Sequence, residues 1–296
     1  MDTLFDMLRY RRPARSNTEQ EFITKFIEPL GTTEDSFGNH YLTVGDSPTT
    51  LFSSHTDTVH KNDGMQQVYI SDNQIHTDND VLGADCGTGV WIMMQMIEAG
   101  VNGLYIFHRD EEIGGKGSSF IADHTPELLD GISRAIAFDR MGNNEVITQQ
   151  FSGMCCSDEF ADDLSEKLGM NYHASPLGSF TDTANYTQII PECTNVGVGY
   201  MHQHTANEYQ EVSHLENLIA ALINVDWNSL PTVRDTADTG NDLWFDDGKY
   251  AGYTEYASDL ELSQLVYEDP EAAIELLLTM GLTSSEVSMY RTKAAA

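Results

Sequence analysis

Strand-length apolar segments alternate with helix-like segments along residues 50–226, and this alternation constrains the fold more than any other feature. The apolar segments are TLFSS (50–54), GLYIF (103–107), RAIAF (134–138) and TNVGVG (194–199). Apolar periodicity predicts helices over 87–99, 117–123, 158–168 and 212–226. Strands that alternate with helices pair mainly in parallel, and helices cover both faces of their sheet. We therefore expect an α/β fold with a mixed, mostly parallel central sheet in a three-layer sandwich.

The remaining parts of the chain are predicted from local signals. Helical spacing covers 17–29, with Asn17 or Thr18 as the expected N-cap. The segments QVYI (67–70) and QIHT (74–77) flank Ser71-Asp72-Asn73, a sequence typical of a hairpin turn. Beyond residue 230 the chain becomes acidic and loses its periodicity, and it then carries short-helix signals. We expect one α/β domain over 1–230, followed by an acidic linker and a small helical extension over 231–296.

The charge balance excludes two classes of partner. The chain has 47 acidic and 15 basic residues, a formal net charge of −32. A field of this sign repels nucleic acid and anionic membranes. Its four cysteines fit neither a disulfide framework nor a zinc ribbon, and the first residues lack the apolar core of a signal peptide. We therefore expect a cytoplasmic protein that binds neither nucleic acid nor membranes.

Each predicted strand ends in side chains that can bind a metal. The groups are His55-Thr56-Asp57, Asp110-Glu111-Glu112, Asp139, and the pair His202 and His204, while Asp85 lies in a glycine-flanked turn before the helix at 87–99. In open α/β sheets, ligands bind outside the carboxyl ends of the strands, so these groups are expected to converge. Six other histidines are expected to be ordinary surface or hydrogen-bonded residues, and His60 is left open.

The types of ligand narrow the choice of metal. Imidazoles mixed with carboxylates suit Zn²⁺, Co²⁺ or Mn²⁺ better than Ca²⁺. Three protein ligands suffice for one catalytic zinc, and this set is larger. The surplus of carboxylates suits two divalent ions about 3.5–4 Å apart.

The motifs HTDTVH, LGADCGTG, DEEIGG, AFDR and HQHTANE resemble, in order and spacing, those of the co-catalytic di-zinc exopeptidases (clan MH). The resemblance covers roughly residues 17–228. Asp139 and His204 are 65 residues apart, which leaves no room for the dimerisation domain of the related glutamate carboxypeptidase and acetylornithine deacetylase group. His55 and Asp85 are 30 residues apart, room for a hairpin only. The chain is thus most similar to the compact single-domain zinc aminopeptidases.

The resemblance implies a role for each motif residue. One metal would be bound by His55, Asp139 and a bridging Asp85, and the second by Asp85, Glu112 and His204. Asp57 would orient the ligand histidine, and Glu111 would be the general base toward a metal-bridging water. One departure is Cys86, where relatives commonly carry an aspartate, after a bond that is often cis in the family.

These roles imply a metallopeptidase that most resembles an aminopeptidase. Asp182 is a candidate receptor for the substrate amine, and the alternative is that it caps a helix over 183–189. The alternatives for function are an N-acyl amino acid or amide-metabolite amidohydrolase, a glutaminyl cyclase-like enzyme with one zinc, and a non-catalytic binding module. Without the dimerisation domain, we expect a monomer or a weak homo-oligomer.

Overall fold

An eight-stranded mixed sheet forms the centre of the fold, as seen in a computed structural model that describes residues 1–151 and 153–237. Its strands, with those of three smaller sheets, are β1 Tyr10–Arg11, β2 Thr33–Glu34, β3 His40–Val44, β4 Thr50–His55, β5 Gly64–Met65, β6 Val68–Ser71, β7 Gln74–Thr77, β8 Gly103–His108, β9 Arg134–Arg140, β10 Glu145–Ile147, β11 Gln149–Gln150, β12 Gly153–Met154, β13 His173–Ser175, β14 Glu192–Gly197, β15 Tyr200–Met201 and β16 Tyr209–Glu211. The helices are α1 Asp2–Met7, α2 Asn17–Phe22, α3 Ala84–Glu98, α4 Lys116–His124, α5 Asp158–Leu168 and α6 Val212–Asn224.

The order of the central sheet is β13-β10-β14-β9-β4-β8-β3-β2. Four of its pairings are parallel, including those that join β14, β9, β4 and β8. Three are antiparallel and lie toward the edges. The predicted mixed, mostly parallel sheet is therefore confirmed. The carboxyl ends of β9, β4 and β8 lie side by side, so the residues that follow these strands meet at one edge.

Two apolar layers cover the two faces of the sheet, because successive side chains of a strand point to opposite faces. Phe52 and Ile136 pack into a large core with α3, whereas their neighbours Leu51 and Ala135 pack into a second core with Ile121 of α4. On the first face α3 packs against β4 and β9, and α1 and α6 pack against α3. On the second face a 3-10 helix, Asp182–Tyr186, packs against β4, β9 and β14. This arrangement is the predicted three-layer sandwich.

The smaller elements also follow the predicted order. The predicted hairpin is formed by β6 and β7, and its turn residues Asp72 and Asn73 have positive φ angles of 50° and 67°. A four-stranded sheet, in the order β15-β16-β7-β6, joins this hairpin to the chain around His204. No helix in the part of the chain that the structure describes is long and apolar enough to cross a membrane.

Two local predictions about helix ends were wrong. The N-cap of the first predicted helix is Ser16, whose Oγ accepts a hydrogen bond from the Glu19 backbone at 3.1 Å, so Asn17 and Thr18 lie inside the helix. This helix continues through a π-helical turn, Ile23–Ile27, and a 3-10 turn, Glu28–Leu30. The helix expected over 183–189 is the short 3-10 helix, whose N-cap is Thr181 rather than Asp182.

The start of the predicted linker packs on the sheet domain. Arg234 is buried and donates from Nη2 to the carbonyl oxygen of Ile190 at 3.1 Å. The backbone N–H groups of Val233 and Arg234 donate to the carboxylate of Glu192, at 2.6 and 3.0 Å. Most of the predicted extension, residues 238–296, lies outside the described residues, and its helices stay a prediction.

Candidate active site

The structure brings together all five side chains that the sequence proposes as metal ligands. His55 Nε2 lies 3.1 Å from Asp85 Oδ1 and 3.2 Å from Asp139 Oδ1. His204 Nε2 lies 3.1 Å from the other Asp85 oxygen, Oδ2, and 3.2 Å from Glu112 Oε2. Asp85 thus stands between two clusters, each with one imidazole and one further carboxylate. This is the arrangement expected of a carboxylate shared by two sites.

The turn that carries Asp85 is held by another glutamate. Glu208 is buried, and its carboxylate accepts hydrogen bonds from four successive backbone N–H groups, those of residues 82 to 85, at distances of 2.8 to 3.3 Å. Gly83 supplies the left-handed backbone conformation of the turn, with a φ of 74°. The peptide bond between Asp85 and Cys86 is cis, and regular helical geometry in α3 begins after Cys86. Glu208 therefore fixes the backbone from which Asp85 projects.

Asp57 connects the ends of two neighbouring strands. The backbone carbonyl oxygen of Asp57 lies 3.1 Å from His55 Nδ1, and its Oδ1 lies 3.5 Å from the same nitrogen, on the side of the ring opposite the other carboxylates. The same carboxylate accepts the backbone N–H of Glu111 at 3.1 Å and that of Glu112 at 3.2 Å. One buried residue therefore orients a histidine, mainly through its backbone carbonyl, and the two-glutamate loop through its carboxylate. Metal-binding histidines are commonly oriented by a carboxylate or a backbone carbonyl in this way.

Glu111 lies beside both clusters without joining either of them. Its Oε2 is 3.9 Å from His55 Nε2, too far for a hydrogen bond, and its side chain is 11% exposed. Burial, with the nearby charges of Asp139 and Glu112, raises the pKa of Glu111 well above its ordinary value. Among the described residues no side chain donates a hydrogen bond to this carboxylate, so it is available to accept a proton.

Repulsion between the buried carboxylates of the metal-free clusters shifts the pKa values of several side chains. Burial, with the charge of Asp85, raises the pKa of Asp139 to about 6. Burial raises the pKa of Glu112 to about 7, even though His204 acts in the opposite direction. Burial also disfavours the charged form of His55 and His204, but the surrounding carboxylates outweigh it and raise both pKa values well above the ordinary value. Bound cations would relieve this repulsion.

The nitrogen and oxygen atoms of the clusters lie close together, but not all of them form hydrogen bonds with one another. His204 Nε2 and Glu112 Oε1 are buried and make no hydrogen bond in the part of the chain that the structure describes. His204 Nε2 nevertheless lies within 3.2 Å of two carboxylate oxygens, so the imidazole faces them without hydrogen-bond geometry. The ligand atoms of His55, Asp85 and Glu112 lie within 4.8 Å of one another, as do those of His55, Cys86 and Asp139. The first set offers nitrogen and oxygen donors, which suit Zn²⁺ or Co²⁺, and the second also contains the sulfur of Cys86.

Cys86 could offer a sulfur to one cluster, but its contacts point elsewhere. Its buried Sγ lies 2.9 Å from Ser54 Oγ and 3.1 Å from the carbonyl oxygen of Phe138. Burial, with the charge of Asp139, raises the pKa of this thiol well above its ordinary value. Because both of these contacts are with buried groups of the protein, we assign Cys86 to the packing beneath the cluster.

Of the two candidates His202 and His204, one joins the clusters described above. His204 joins the cluster, whereas the ring of His202 packs against Tyr209, with their centroids 5.9 Å apart. His60 is buried and its Nδ1 lies 2.7 Å from Thr58 Oγ1, and His108 is likewise paired with Tyr186. Neither belongs to the candidate metal clusters.

Asp182 lies below the site rather than on its surface. Its side chain is 1% exposed, and its Oδ1 accepts a hydrogen bond from Ser118 at 2.6 Å. Its Oδ2 faces His108 Nδ1 at 3.3 Å. Asp182 does not line the cavity over the clusters, so the structure gives no support to the substrate contact predicted for it.

Several residues that position the ligands were missed by the sequence analysis. Asn195 accepts the Asp139 backbone N–H at 2.9 Å and donates to its carbonyl oxygen at 2.8 Å. Thr181 donates to Asp139 Oδ2 at 2.7 Å. The fully buried Arg12 donates to the carbonyl oxygen of Thr56 at 2.9 Å and to that of Gly83 at 3.3 Å, which joins two ligand-bearing loops. No local pattern marks these contacts, because each spans more than 40 residues of sequence.

A cavity of about 500 Å³, which includes space open to solvent, lies over the two clusters. Four carboxylates from the predicted set and His204 form its floor. The other lining residues are Arg140, Met141, Ile147, Gln150, Gly178, Ser179, Phe180, Asn195, Tyr200 and Gln203. The cavity is open to solvent, so it gives dissolved molecules access to the two clusters.

Comparisons with known proteins identify the fold. No protein-family model and no curated protein matches the sequence. Among solved structures, the chain is similar to aminopeptidase PepT from Bacillus cereus, with 16% identity, a TM-score of 0.61 and coverage of 75% of this chain and 95% of that one. It is also similar to a tripeptidase from Staphylococcus aureus, with 15% identity, a TM-score of 0.62 and the same coverage. The TET1 peptidase of Pyrococcus horikoshii matches with 14% identity, a TM-score of 0.56 and coverage of 74% and 98%. The chain therefore has the fold of these peptidases.

Proposed function

We propose that the protein is a metal-dependent peptidase that removes N-terminal residues, with Glu111 as the general base. The observation that carries this proposal is the position of Asp85, which lies within 3.1 Å of both His55 Nε2 and His204 Nε2. Each imidazole has its own second carboxylate, Asp139 or Glu112, at 3.2 Å. Two sites that share one carboxylate are the pattern of co-catalytic metal centres.

These distances support an assignment of the ligands to two ions. His55, Asp85 and Asp139 would hold one divalent ion, and Asp85, Glu112 and His204 the other. We propose zinc, with cobalt or manganese as alternatives, because the donors are imidazole nitrogens and carboxylate oxygens. When bound, the two ions supply Lewis acidity that polarises a scissile carbonyl and acidifies a water molecule.

The chain's own residues would perform the proton transfers. Glu111 would accept a proton from the attacking water at its carboxylate and return it to the leaving amine. Its raised pKa and the absence of a hydrogen bond to its carboxylate among the described residues support this role. Asp57 would keep His55 and the loop of Glu111 in place through the contacts described above.

The choice of a peptide bond, and of N-terminal cleavage, is supported by what the similar structures are named: an aminopeptidase, a tripeptidase and a TET1 peptidase. Hydrolysis of N-acyl amino acids uses the same chemistry and remains the alternative. A glutaminyl cyclase-like reaction uses one zinc, so one of the two clusters would have no role in it. A binding module without activity would need neither cluster for catalysis.

The oligomeric state and the cellular location stay predictions. The TET1 peptidase is described as assembling into a tetrahedron or a large octahedral shell, which gives reason to test the expectation of a monomer or weak homo-oligomer. Sedimentation velocity over a range of protein concentrations would decide between them. A cytoplasmic location would be tested by fractionation of the source cells.

The test of the proposed function combines metal replacement with a substrate panel. Metal-stripped protein would be loaded with Zn²⁺, Co²⁺ or Mn²⁺ and assayed on unblocked dipeptides, aminoacyl-p-nitroanilides and N-acetyl amino acids. We expect cleavage of the first two classes only, and a loss of roughly a hundredfold or more in kcat for Glu111→Gln, in the range of general-base effects. The matched control is Glu98→Gln, at an exposed position at the end of α3. Preferred cleavage of N-acetyl amino acids would favour the alternative, and a Glu111→Gln variant as active as the control would refute the assignment of the base.

A further inference from the structure

We propose that Arg140 binds a carboxylate of the substrate, so that the enzyme prefers short peptides with a carboxylate close to the cleaved bond. This inference rests on the proposed function and adds to it the class of substrate. Its starting point is the composition of the cavity, because Arg140 is the only arginine or lysine among the described residues that line it. The other charged lining residues are carboxylates and one histidine.

The position of Arg140 places it next to the reacting groups. It is the last residue of β9 and directly follows Asp139, one of the proposed metal ligands. Both residues line the same cavity. A group bound there by the guanidinium would therefore lie close to a bond held over the clusters.

The guanidinium is held from one side only. Its Nε and Nη2 donate to Glu145 Oε2 at 3.0 and 2.9 Å. The other Glu145 oxygen accepts a hydrogen bond from Ser175 at 2.7 Å, so the pair is anchored on two strands of the sheet. Nη1 has no hydrogen-bond partner in residues 1–151 and 153–237. An arginine has five N–H donors in a fixed plane, and this arrangement leaves several of them free.

These features select an anion with planar geometry. The fork of a guanidinium matches a carboxylate with two parallel hydrogen bonds, and a fixed fork loses little entropy on binding. The four carboxylates of the floor would repel such an anion from the metal-free protein, but two divalent cations would offset their charge. The carboxylate could be the C-terminal group of a di- or tripeptide or the side chain of an aspartate or glutamate.

The experiment compares pairs of substrates that differ only in one charge. The first pair is Ala-Ala and its C-terminal amide, and the second is Ala-Asp-amide and Ala-Asn-amide. For the wild-type enzyme we expect the charged member of at least one pair to have a kcat/KM higher by about ten- to a hundredfold, the effect of one or two hydrogen bonds to a charged group. The pair that shows the preference identifies the source of the carboxylate.

Two variants separate recognition from structural support. Arg140→Met should reduce the ratio of kcat/KM between the charged and the neutral member of the pair to nearly one. Glu145→Gln removes the charge of the partner that anchors Arg140 but keeps the guanidinium, so it should retain the preference. Circular dichroism and metal content would verify that both variants fold and bind metal.

The outcomes are distinct from failure of the proposed function. If the wild-type enzyme cleaves no peptide with any of the three metals, the proposed function is wrong. If it cleaves charged and neutral members equally, only the role of Arg140 is wrong, whether or not Arg140→Met folds. A preference that survives in Arg140→Met, or that is lost equally in Glu145→Gln, would also overturn it.

Discussion

Replacement of Glu208 by glutamine tests how the fold positions Asp85. The carboxylate of Glu208 accepts four backbone N–H groups, from residues 82 to 85. Each oxygen accepts two of them, with Oε2 bound to residues 82 and 83 and Oε1 to residues 84 and 85. Glutamine keeps one accepting oxygen, whereas its NH₂ group cannot accept. Two buried N–H groups would therefore lose their partner.

The magnitude follows from this count. A buried donor without a partner costs about 1–3 kcal/mol, so two of them cost about 2–6 kcal/mol. The neutral amide also avoids the burial of a charge, which already raises the pKa of Glu208 to about 7. The two effects oppose each other, and we expect a net loss of about 2 kcal/mol in the free energy of unfolding. For a domain of this size that loss lowers Tm by about 4–8 °C.

The assay is urea unfolding and metal titration of purified Glu208→Gln. Because the turn carries Asp85, we expect metal affinity to fall by about tenfold or more, as it does when groups that orient a ligand are changed. The matched control is Glu211→Gln, three residues along the same chain, which receives one hydrogen bond from Asn143 at 3.2 Å. The reasoning is refuted if Glu208→Gln is as stable as this control and binds metal as tightly as the wild type.

Three further predictions concern the same site. Asp57→Asn keeps the shape of the side chain but loses its charge and one of the two oxygens that accept the Glu111 and Glu112 N–H groups. Metal affinity, measured by calorimetry, should therefore fall about 10–100-fold. An unchanged affinity would exclude an orienting role for Asp57. The pKa values of Glu112 and Asp139 rise to about 7 and about 6 in the folded, metal-free protein. Because the folded state then binds more protons than the unfolded chain, the free energy of unfolding should decrease as the pH rises from about 4 to 7. Urea unfolding of metal-free and metal-loaded protein would check this, because the stabilisation by metal should grow over the same interval, and parallel curves would contradict it. Removal of metal should also loosen the loop 108–115, so limited proteolysis should cut there faster in chelator-treated protein, whereas equal cutting with and without metal would count against a metal bound by Glu112.

The sheet and the site could be predicted because both depend on local patterns. The apolar segments that became β4, β8 and β9 are buried throughout, and each is followed at once by a histidine or an acid. Parallel pairing then brings their ends to one edge, whatever the details of the helices. That is why the sequence identified His55, Glu111 and Asp139 as neighbours although they are far apart in the chain.

The remaining features depend on long-range contacts that no local pattern contains. Glu208 contacts a turn more than 120 residues earlier, and nothing in the motif HQHTANE, which it ends, indicates these hydrogen bonds. Asp182 is of a residue type that is common at helix N-caps. The packing of its 3-10 helix on β4 and β9 nevertheless buries its side chain against Ser118. Ser16 and Asn17 are both of residue types that are common at helix N-caps. Which of them caps the helix depends on where the preceding chain turns.

The measurement that tests the central claim most directly is anomalous diffraction at the zinc edge from crystals of the metal-loaded protein. We predict two peaks per chain, one among His55, Asp85 and Asp139 and one among Asp85, Glu112 and His204, separated by about 3.5–4 Å. Data from Glu111→Gln should contain both peaks. A single peak, or peaks at other residues, would contradict the assignment of a shared two-metal centre.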